Sequence, residues 1–157
     1  MKKNPNNRIE ELLEKIDLQK LPFKVNKEKL NRVGIDIAND LNKILDGLNK
    51  VPELKWCMST VKKAKVFTKI YYANEVGSTM YKEELAKQLP EFSYKTIATI
   101  VDEGIAKGYY IPMDPYIKDI KDKKIKNIRP SLEVIIAFYN WNIERIATVY
   151  NLVEKYK

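Results

Sequence analysis

The sequence predicts a mainly α-helical protein with one small β-hairpin, an α+β fold, and three observations support this prediction. Apolar residues recur at helical spacing over residues 8–74 and again over residues 131–157, which predicts long helices at both ends. Between them, residues 79–130 contain two short helical segments followed by Gly108 and two strand-like segments. No repeat, low-complexity linker or clear boundary divides the 157 residues, so we expect a single domain.

The N-terminal region is predicted to form three helices, at about residues 8–18, 27–49 and 52–74. The second helix has one apolar stripe, formed by Leu30, Val33, Ile37, Leu41, Ile44, Leu45 and Leu48. Pro52 suits the first position of the third helix. The inward face of this helix is expected to contain Leu54, Cys57, Met58, Val61, Ala64, Phe67 and Tyr71. Five lysines of the third helix form either a solvated face or a phosphate-binding surface: Lys55, Lys62, Lys63, Lys65 and Lys69.

Two short helices follow, at about residues 80–89 and 93–107. Leu85 and the small Ala86 suit a close helix crossing, and Pro90 begins the turn between the helices. Ser93 is placed to cap the second helix, because its side chain can accept a free N–H of the first turn. The buried face of that helix is expected to contain Ile97, Ile100, Val101 and Ile105. The opposite face presents, near its start, Tyr94, Lys95, Thr96 and Thr99.

A basic hairpin is predicted after the second short helix. Gly108 ends that helix where a left-handed conformation is favoured, and a strand begins at Tyr109. A turn around residues 112–115 and a return strand at residues 124–129 complete the hairpin. Its basic side chains are Lys118, Lys121, Lys123, Lys124, Lys126 and Arg129. They suit contact with phosphate or with a minor groove. The alternative is a solvated sheet edge, since lysine also protects edges from aggregation.

This order of elements is typical of a winged helix-turn-helix flanked by long N- and C-terminal helices. In that fold the start of the second short helix reaches base edges in the major groove of duplex DNA. A formal net charge of +8 favours an anionic partner, with nucleic acid before a membrane surface. Two other functions stay open from the residues alone. One is a winged-helix module for protein interaction or assembly, and the other is a replication or plasmid-partition protein that binds DNA.

The segment ELAKQLPEFSYKTIATIVDEGIAKGYYI, with KDKKIKNIRPS after it, resembles the winged-helix core of the multiple antibiotic resistance regulator (MarR) family. The matching residues are Glu84, Leu85, Ala86, Ser93, Thr96 and Gly108, together with Asp122 and Lys124 where the family has Asp-x-Arg. Gly104 differs, because a core leucine is usual there. The resemblance implies a homodimeric transcriptional regulator of double-stranded DNA. The residues expected to contact DNA are Ser93, Tyr94, Lys95, Thr96, Thr99, Lys121, Lys123, Lys124 and Lys126.

The last helix, residues 131–157, bears on the partners of the protein. One apolar stripe contains Leu132, Ile135, Tyr139, Ile143, Ile146, Val149 and Val153. A second contains Val134, Phe138, Trp141 and Leu152. Because one core contact cannot use both, we expect one stripe to meet a second copy in a two-fold homodimer. The alternative is that the second stripe covers residues 8–23 of the same chain. The resemblance also implies a small aromatic effector, for which Trp56, Phe67, Tyr71 and Tyr72 form either a pocket or plain core.

Several classes of function are disfavoured by residue content. The chain has one cysteine, Cys57, and no histidine, so we expect a buried apolar thiol, no disulfide and no zinc site. Catalysis that depends on a histidine base is excluded, and no glycine-rich phosphate loop is present. We therefore expect no cofactor and no enzymatic activity. The N-terminal residues lack an apolar signal core and no membrane-spanning run appears, so we expect a cytoplasmic protein with no membrane partner.

Overall fold

The structure, a computed structural model, describes residues 14–24, 29–114 and 125–157. These residues are mainly helical and contain one two-stranded antiparallel sheet, which confirms the predicted fold class at this level. The chain divides into two compact units, Gly47–Asn142 and a smaller unit of Met1–Asp46 with Ile143–Lys157. Two long helices, α1 (Leu30–Asn49) and α6 (Leu132–Tyr156), continue through the unit boundaries. The single domain expected from the sequence stays a prediction.

The smaller unit is held by polar contacts between α1 and the end of α6. Asp36 accepts hydrogen bonds from Lys155 Nζ at 2.6 Å and from the Tyr156 hydroxyl. These contacts, with Lys155 first, lower the pKa of the Asp36 carboxyl. A short 3₁₀ turn at Leu18–Lys20 precedes α1. Residues 8–13 of the helix predicted first lie outside the described residues.

Apolar side chains of the smaller unit are largely exposed. Among the residues described in this unit, Tyr156 is the one buried hydrophobic side chain. From Val33 onward, the stripe predicted on α1 is half-exposed rather than covered. Between 45% and 65% of the surface is accessible at Ile37, Leu41 and Leu45 on α1 and at Ile143, Ile146, Val149 and Tyr150 on α6.

In the larger unit, two helices replace the single helix predicted over residues 52–74, so that prediction is wrong. They are α2 (Pro52–Cys57) and α3 (Val61–Glu75). The chain is extended at Thr60, with φ −139° and ψ 157°, and the Thr60 hydroxyl caps α3 by accepting the N–H of Lys63 at 3.1 Å. Because the break changes the phase, Val61 is 71% exposed instead of facing inward. The buried residues of these helices are Leu54, Cys57, Val66, Phe67, Ile70 and Ala73.

The two short helices form as predicted, as α4 (Lys82–Gln88) and α5 (Tyr94–Ala106). Ser93 caps α5, since its hydroxyl accepts the N–H of Thr96 at 3.1 Å. Lys82 binds Asp102 at 2.6 Å and fastens the start of α4 to α5. Buried apolar side chains join both helices to α3: Leu85, Leu89, Ile97, Ile100 and Val101.

The hairpin consists of β1 (Tyr110–Met113) and β2 (Asn127–Pro130), paired antiparallel with Tyr110 opposite Pro130. Gly108 has φ 75°, the left-handed conformation predicted from its position after α5. Pro112 lies within β1, not in the turn as predicted. A proline is tolerated there because a strand of a two-stranded sheet has one edge without a partner strand. The return strand begins at residue 127, later than predicted.

A buried asparagine ties β2 to the segment that precedes α4. The Oδ1 atom of Asn127 accepts the N–H of Met80 at 2.9 Å, and the carbonyl of Met80 accepts the N–H of Ile128 at 2.7 Å. Asn127 is 1% exposed, so this contact replaces water for a buried backbone group. After β2, the Ser131 hydroxyl accepts the N–H of Val134 at 3.3 Å and caps α6, as predicted. Within the larger unit, the hairpin therefore shares one core with α2, α3, α4, α5 and the start of α6.

Candidate nucleic-acid interface

The first turns of α5 bring together five of the residues predicted to contact DNA. Ser93, Tyr94, Lys95 and Thr99 are exposed there and Thr96 is half-buried. The hydroxyls of Ser93 and Thr96 lie 2.9 Å apart, and the Thr99 hydroxyl donates to the carbonyl of Lys95 at 2.8 Å. The Tyr94 hydroxyl donates to Glu83 of α4 at 3.2 Å. The exposed end of α5 is therefore polar and well ordered by local hydrogen bonds.

A groove of about 340 Å³ lies beside this end of α5. The start of α3 forms its other wall. The groove is lined by Thr60, Lys62 and Lys63 on one side and by Lys95, Thr96, Thr99 and Ile100 on the other, and most of the lining surface is apolar. From the sequence, the lysines of α3 form either a solvated face or a phosphate-binding surface, and Thr60 is not among the predicted site residues. The sequence does contain a signal for Thr60 as a helix cap, because a Ser-Thr pair followed by Val61 is typical of a helix N-terminus.

The lysines around the groove differ in whether a carboxylate neutralises them. Lys63 Nζ lies 3.3 Å from Glu103 and 4.5 Å from the centre of the Trp56 ring. Glu103 also accepts the indole N–H of Trp56 at 2.7 Å, and these bonds lower the pKa of Glu103. Lys65 is paired with Glu91 at 2.5 Å. Within the described part of the chain, Lys62 and Lys95 have no carboxylate partner, so the positive charge of the groove is concentrated on them.

The basic hairpin is described only in part. Lys121, Lys123 and Lys124 lie outside the described residues. Lys126 is half-exposed and forms an ion pair with Asp114, which lowers the pKa of the Asp114 carboxyl. Lys126 lines a second groove, of about 370 Å³, together with Tyr81, Lys82 and Ile105. This groove runs between the start of α4 and the sheet.

The four aromatic residues considered for an effector pocket are divided by the structure. Trp56 packs on Tyr109 and Tyr110, with ring centres 5.4 and 5.8 Å apart. Phe67 is fully buried and Tyr71 half-buried in a separate edge-to-face cluster with Phe138. Tyr72 is 66% exposed. These contacts make Trp56 and Phe67 part of the core, and the effector stays an untested expectation.

Cys57 behaves as predicted for a structural thiol. Its side chain is fully buried, and burial raises the pKa of the thiol to about 12. The thiol therefore stays protonated at neutral pH and is a poor nucleophile.

No known protein family, curated protein or solved structure matches the chain significantly. The resemblance to the MarR family therefore stays a prediction carried by the residues themselves. None of the helices in the described ranges combines the length and the apolar character needed to cross a bilayer.

Proposed function

We propose that the protein is a homodimeric winged helix-turn-helix protein of MarR type that binds duplex DNA and regulates transcription. The observation that carries this proposal is the exposed polar end of α5 beside a basic groove. The opposite face of α5 is buried through Ile97, Ile100 and Val101, so the helix is anchored while its first turns face solvent. A helix held in this way fits a major groove.

The side chains on the exposed end have the chemistry for base contacts. Lysine donates to the acceptors of guanine, and threonine serves as donor, acceptor or methyl contact to thymine. Lys95, Thr96 and Thr99 would supply these groups, with Ser93 and Tyr94 beside them. In this proposal the hairpin acts as the wing, where Lys121, Lys123, Lys124 and Lys126 contact the phosphate backbone. Such contacts add affinity without choosing a sequence.

The exposed stripes of the smaller unit support a homodimer. Among the residues of this unit that the structure describes, one hydrophobic side chain is buried, and the stripes on α1 and α6 are largely exposed. Ile37, Leu41 and Leu45 lie on one face of α1, four residues apart, as expected for a helix that packs on a partner. Ile146 and Tyr150 repeat the same spacing on α6. A second copy would cover both stripes and place two α5 helices on one DNA site.

The proposal is tested by selecting duplexes from a random library and measuring their affinity across a salt series. Affinity for the selected duplexes is expected to fall steeply from about 50 to 200 mM salt, and the enriched sites are expected to be imperfect palindromes. A scrambled duplex of equal length and composition serves as the control and binds more weakly. Absence of binding to any duplex at the lowest salt would overturn the proposal.

A second candidate function is a winged-helix module for protein interaction or assembly. The charge of α5 and its flanking residues favours it, because Lys95 and Lys107 are offset by Glu91, Asp102 and Glu103. This candidate predicts a stable protein partner and no affinity for duplex DNA at low salt. A replication or partition protein would bind DNA as well. It is distinguished by where the bound fragments lie, since its sites cluster at an origin or in an array instead of lying before genes.

A further inference from the structure

We infer that the groove between α3 and α5 binds a backbone phosphate of duplex DNA. Lys62 and Thr60 of α3 would hold it from one wall, and Lys95 of α5 from the other. This inference rests on the proposed function and adds a contact that neither the exposed end of α5 nor the hairpin accounts for. The groove, of about 340 Å³, is large enough for a phosphate group and is open to solvent.

Charge singles out this groove. Lys63 and Lys65, in the same turn of α3, are matched by Glu103 and Glu91 at 3.3 and 2.5 Å. Lys62 and Lys95 have no such match among the residues that the structure describes. Because both line one groove, each raises the affinity of the site for an anion held between them. If these lysines only formed a solvated face, there would be no reason for the two unpaired ones, on α3 and α5, to line the same groove.

Hydrogen-bond donors also converge on the groove. The Thr60 oxygen accepts the N–H of Lys63, so the Thr60 hydroxyl proton remains to donate to a ligand. The hydroxyl proton of Thr99 is used on the carbonyl of Lys95 and does not serve this role. The N–H of Lys63 is already bonded to the Thr60 hydroxyl, whereas the N–H groups of Val61 and Lys62, at the start of the 15-residue helix α3, lack intrahelical acceptors and favour negative charge beside them. Together with the two lysines, these donors match the oxygens of a phosphodiester.

The position of Lys62 favours a backbone phosphate of DNA over an isolated phosphate. Lys62 Nζ lies 6.0 Å from the centre of the Phe92 ring, and Phe92 directly precedes the cap of α5. A phosphate held there is adjacent to the end of α5 that is proposed to meet base edges. One contact would then fix how deeply and at what angle α5 enters the major groove, which is the usual role of phosphate contacts.

The test compares two lysines of α3 that carry the same charge. Lys62→Gln removes the groove lysine, and Lys69→Gln removes one that is seven residues, or about 10 Å, further along the helix. Binding of one selected duplex is measured by fluorescence anisotropy between about 50 and 200 mM salt. Lys62→Gln is expected to weaken binding about three- to tenfold and to lower the salt slope by about 0.9, as for one lost phosphate contact. Lys69→Gln is expected to change the slope much less, and Lys62→Arg to restore it.

A modified duplex identifies the phosphate. Single phosphates are replaced in turn by uncharged methylphosphonate, and one replacement is expected to weaken wild-type binding while leaving Lys62→Gln unaffected. The inference would be overturned if Lys62→Gln and Lys69→Gln had equal effects and no single methylphosphonate weakened wild-type binding selectively. That result would leave DNA binding intact. Failure of the wild type to bind any duplex would instead overturn the proposed function. Inorganic phosphate should displace the duplex more strongly than chloride at equal ionic strength, and this difference should be lost in Lys62→Gln, because the free anion competes with the backbone phosphate for the groove.

Discussion

The ring of Tyr110 lies directly against the α-carbon of Gly104, in the space where any other residue would carry its side chain. A β-carbon added at Gly104 would lie 2.3 and 2.6 Å from two carbons of the Tyr110 ring and 3.1 Å from Trp56. Gly104 is helical and does not have a positive φ, so the ring and not the backbone requires glycine. Tyr110 in turn is 1% exposed and joins β1 to α5.

Gly104→Ala is therefore expected to destabilise the protein by about 1–3 kcal/mol, as overpacking of a core usually does. Alanine is the better helix former by roughly 0.5–1 kcal/mol, but Tyr110 is backed by Trp56 and has little room to move. The free energy of unfolding from urea denaturation measures the loss. Gly34→Ala in α1 is the matched control, because nothing lies within 4 Å of its added carbon. A Gly104→Ala protein as stable as the control would contradict the contact.

Asn127→Leu is expected to destabilise the larger unit by about 1–3 kcal/mol. The substitution keeps the size of the side chain but leaves the N–H of Met80 buried without its acceptor. Hydrogen exchange at the Met80 amide measures the effect locally, and thermal unfolding measures it globally. Asn140→Leu, at an exposed position of α6, controls for the loss of an amide. Unchanged protection of the Met80 amide would be incompatible with the hydrogen bond described.

The sequence predicts the helices and hairpin where local chemistry determines them. Ser93 and Ser131 are helix caps, Pro52 begins a helix and Gly108 ends one, and the structure confirms all four. These signals depend on one residue and its near neighbours, so no tertiary information is needed. The break between α2 and α3 depends equally on a local cap, Thr60. The sequence does not predict this break, because the apolar residues on either side of it approximate one continuous helical period.

Contacts between distant residues could not be predicted from the sequence alone. The pairing of Asn127 with Met80 joins residues 47 positions apart, and nothing near either residue indicates it. The same holds for the groove, whose walls come from α3 and α5. A sequence pattern shows which side chains share a helix face but not which second helix lies opposite. For this reason the sequence predicts the DNA-contacting residues of α5 and its cap, whereas it does not decide the role of Lys62.

The fluorescence of Trp56 is expected to follow the protonation of Glu103. The Trp56 indole N–H donates to Glu103, and this bond, with Lys63, holds the pKa of Glu103 below its ordinary value of 4.5. Since the folded-state pKa is lowered, the stabilising contact is present above the ordinary value and is lost as pH falls through the lowered one. In a Trp141→Phe background, the emission of Trp56 should therefore change with a midpoint below pH 4.5. Glu103→Gln should abolish that transition, and a midpoint above 4.5 would contradict the assignment.

Ile146→Glu is expected to dissociate the proposed homodimer. Ile146 is 65% exposed on the apolar stripe of α6, and a carboxylate there would be buried without a partner in the dimer. Sedimentation velocity at tens of micromolar should show a dimer for the wild type and a monomer for the variant. Asn151→Glu makes the same addition of charge at another exposed position of α6 and should remain dimeric. A monomeric wild type at that concentration would remove the basis of the dimer proposal.

The end of α5 and the hairpin are expected to contribute differently to DNA binding, and substitutions in each should separate the two contributions. Lys95→Ala or Thr96→Val should relax the preference among bases, because these side chains are placed to meet base edges. Lys123→Gln with Lys124→Gln should instead weaken all duplexes alike and lower the salt slope by about 1.8, as for two lost phosphate contacts. Sequencing of duplexes selected by each variant gives the first result, and salt titration gives the second. If the lysine pair changes neither affinity nor slope, the hairpin does not contact DNA, and α5 with its neighbouring groove must supply the affinity alone.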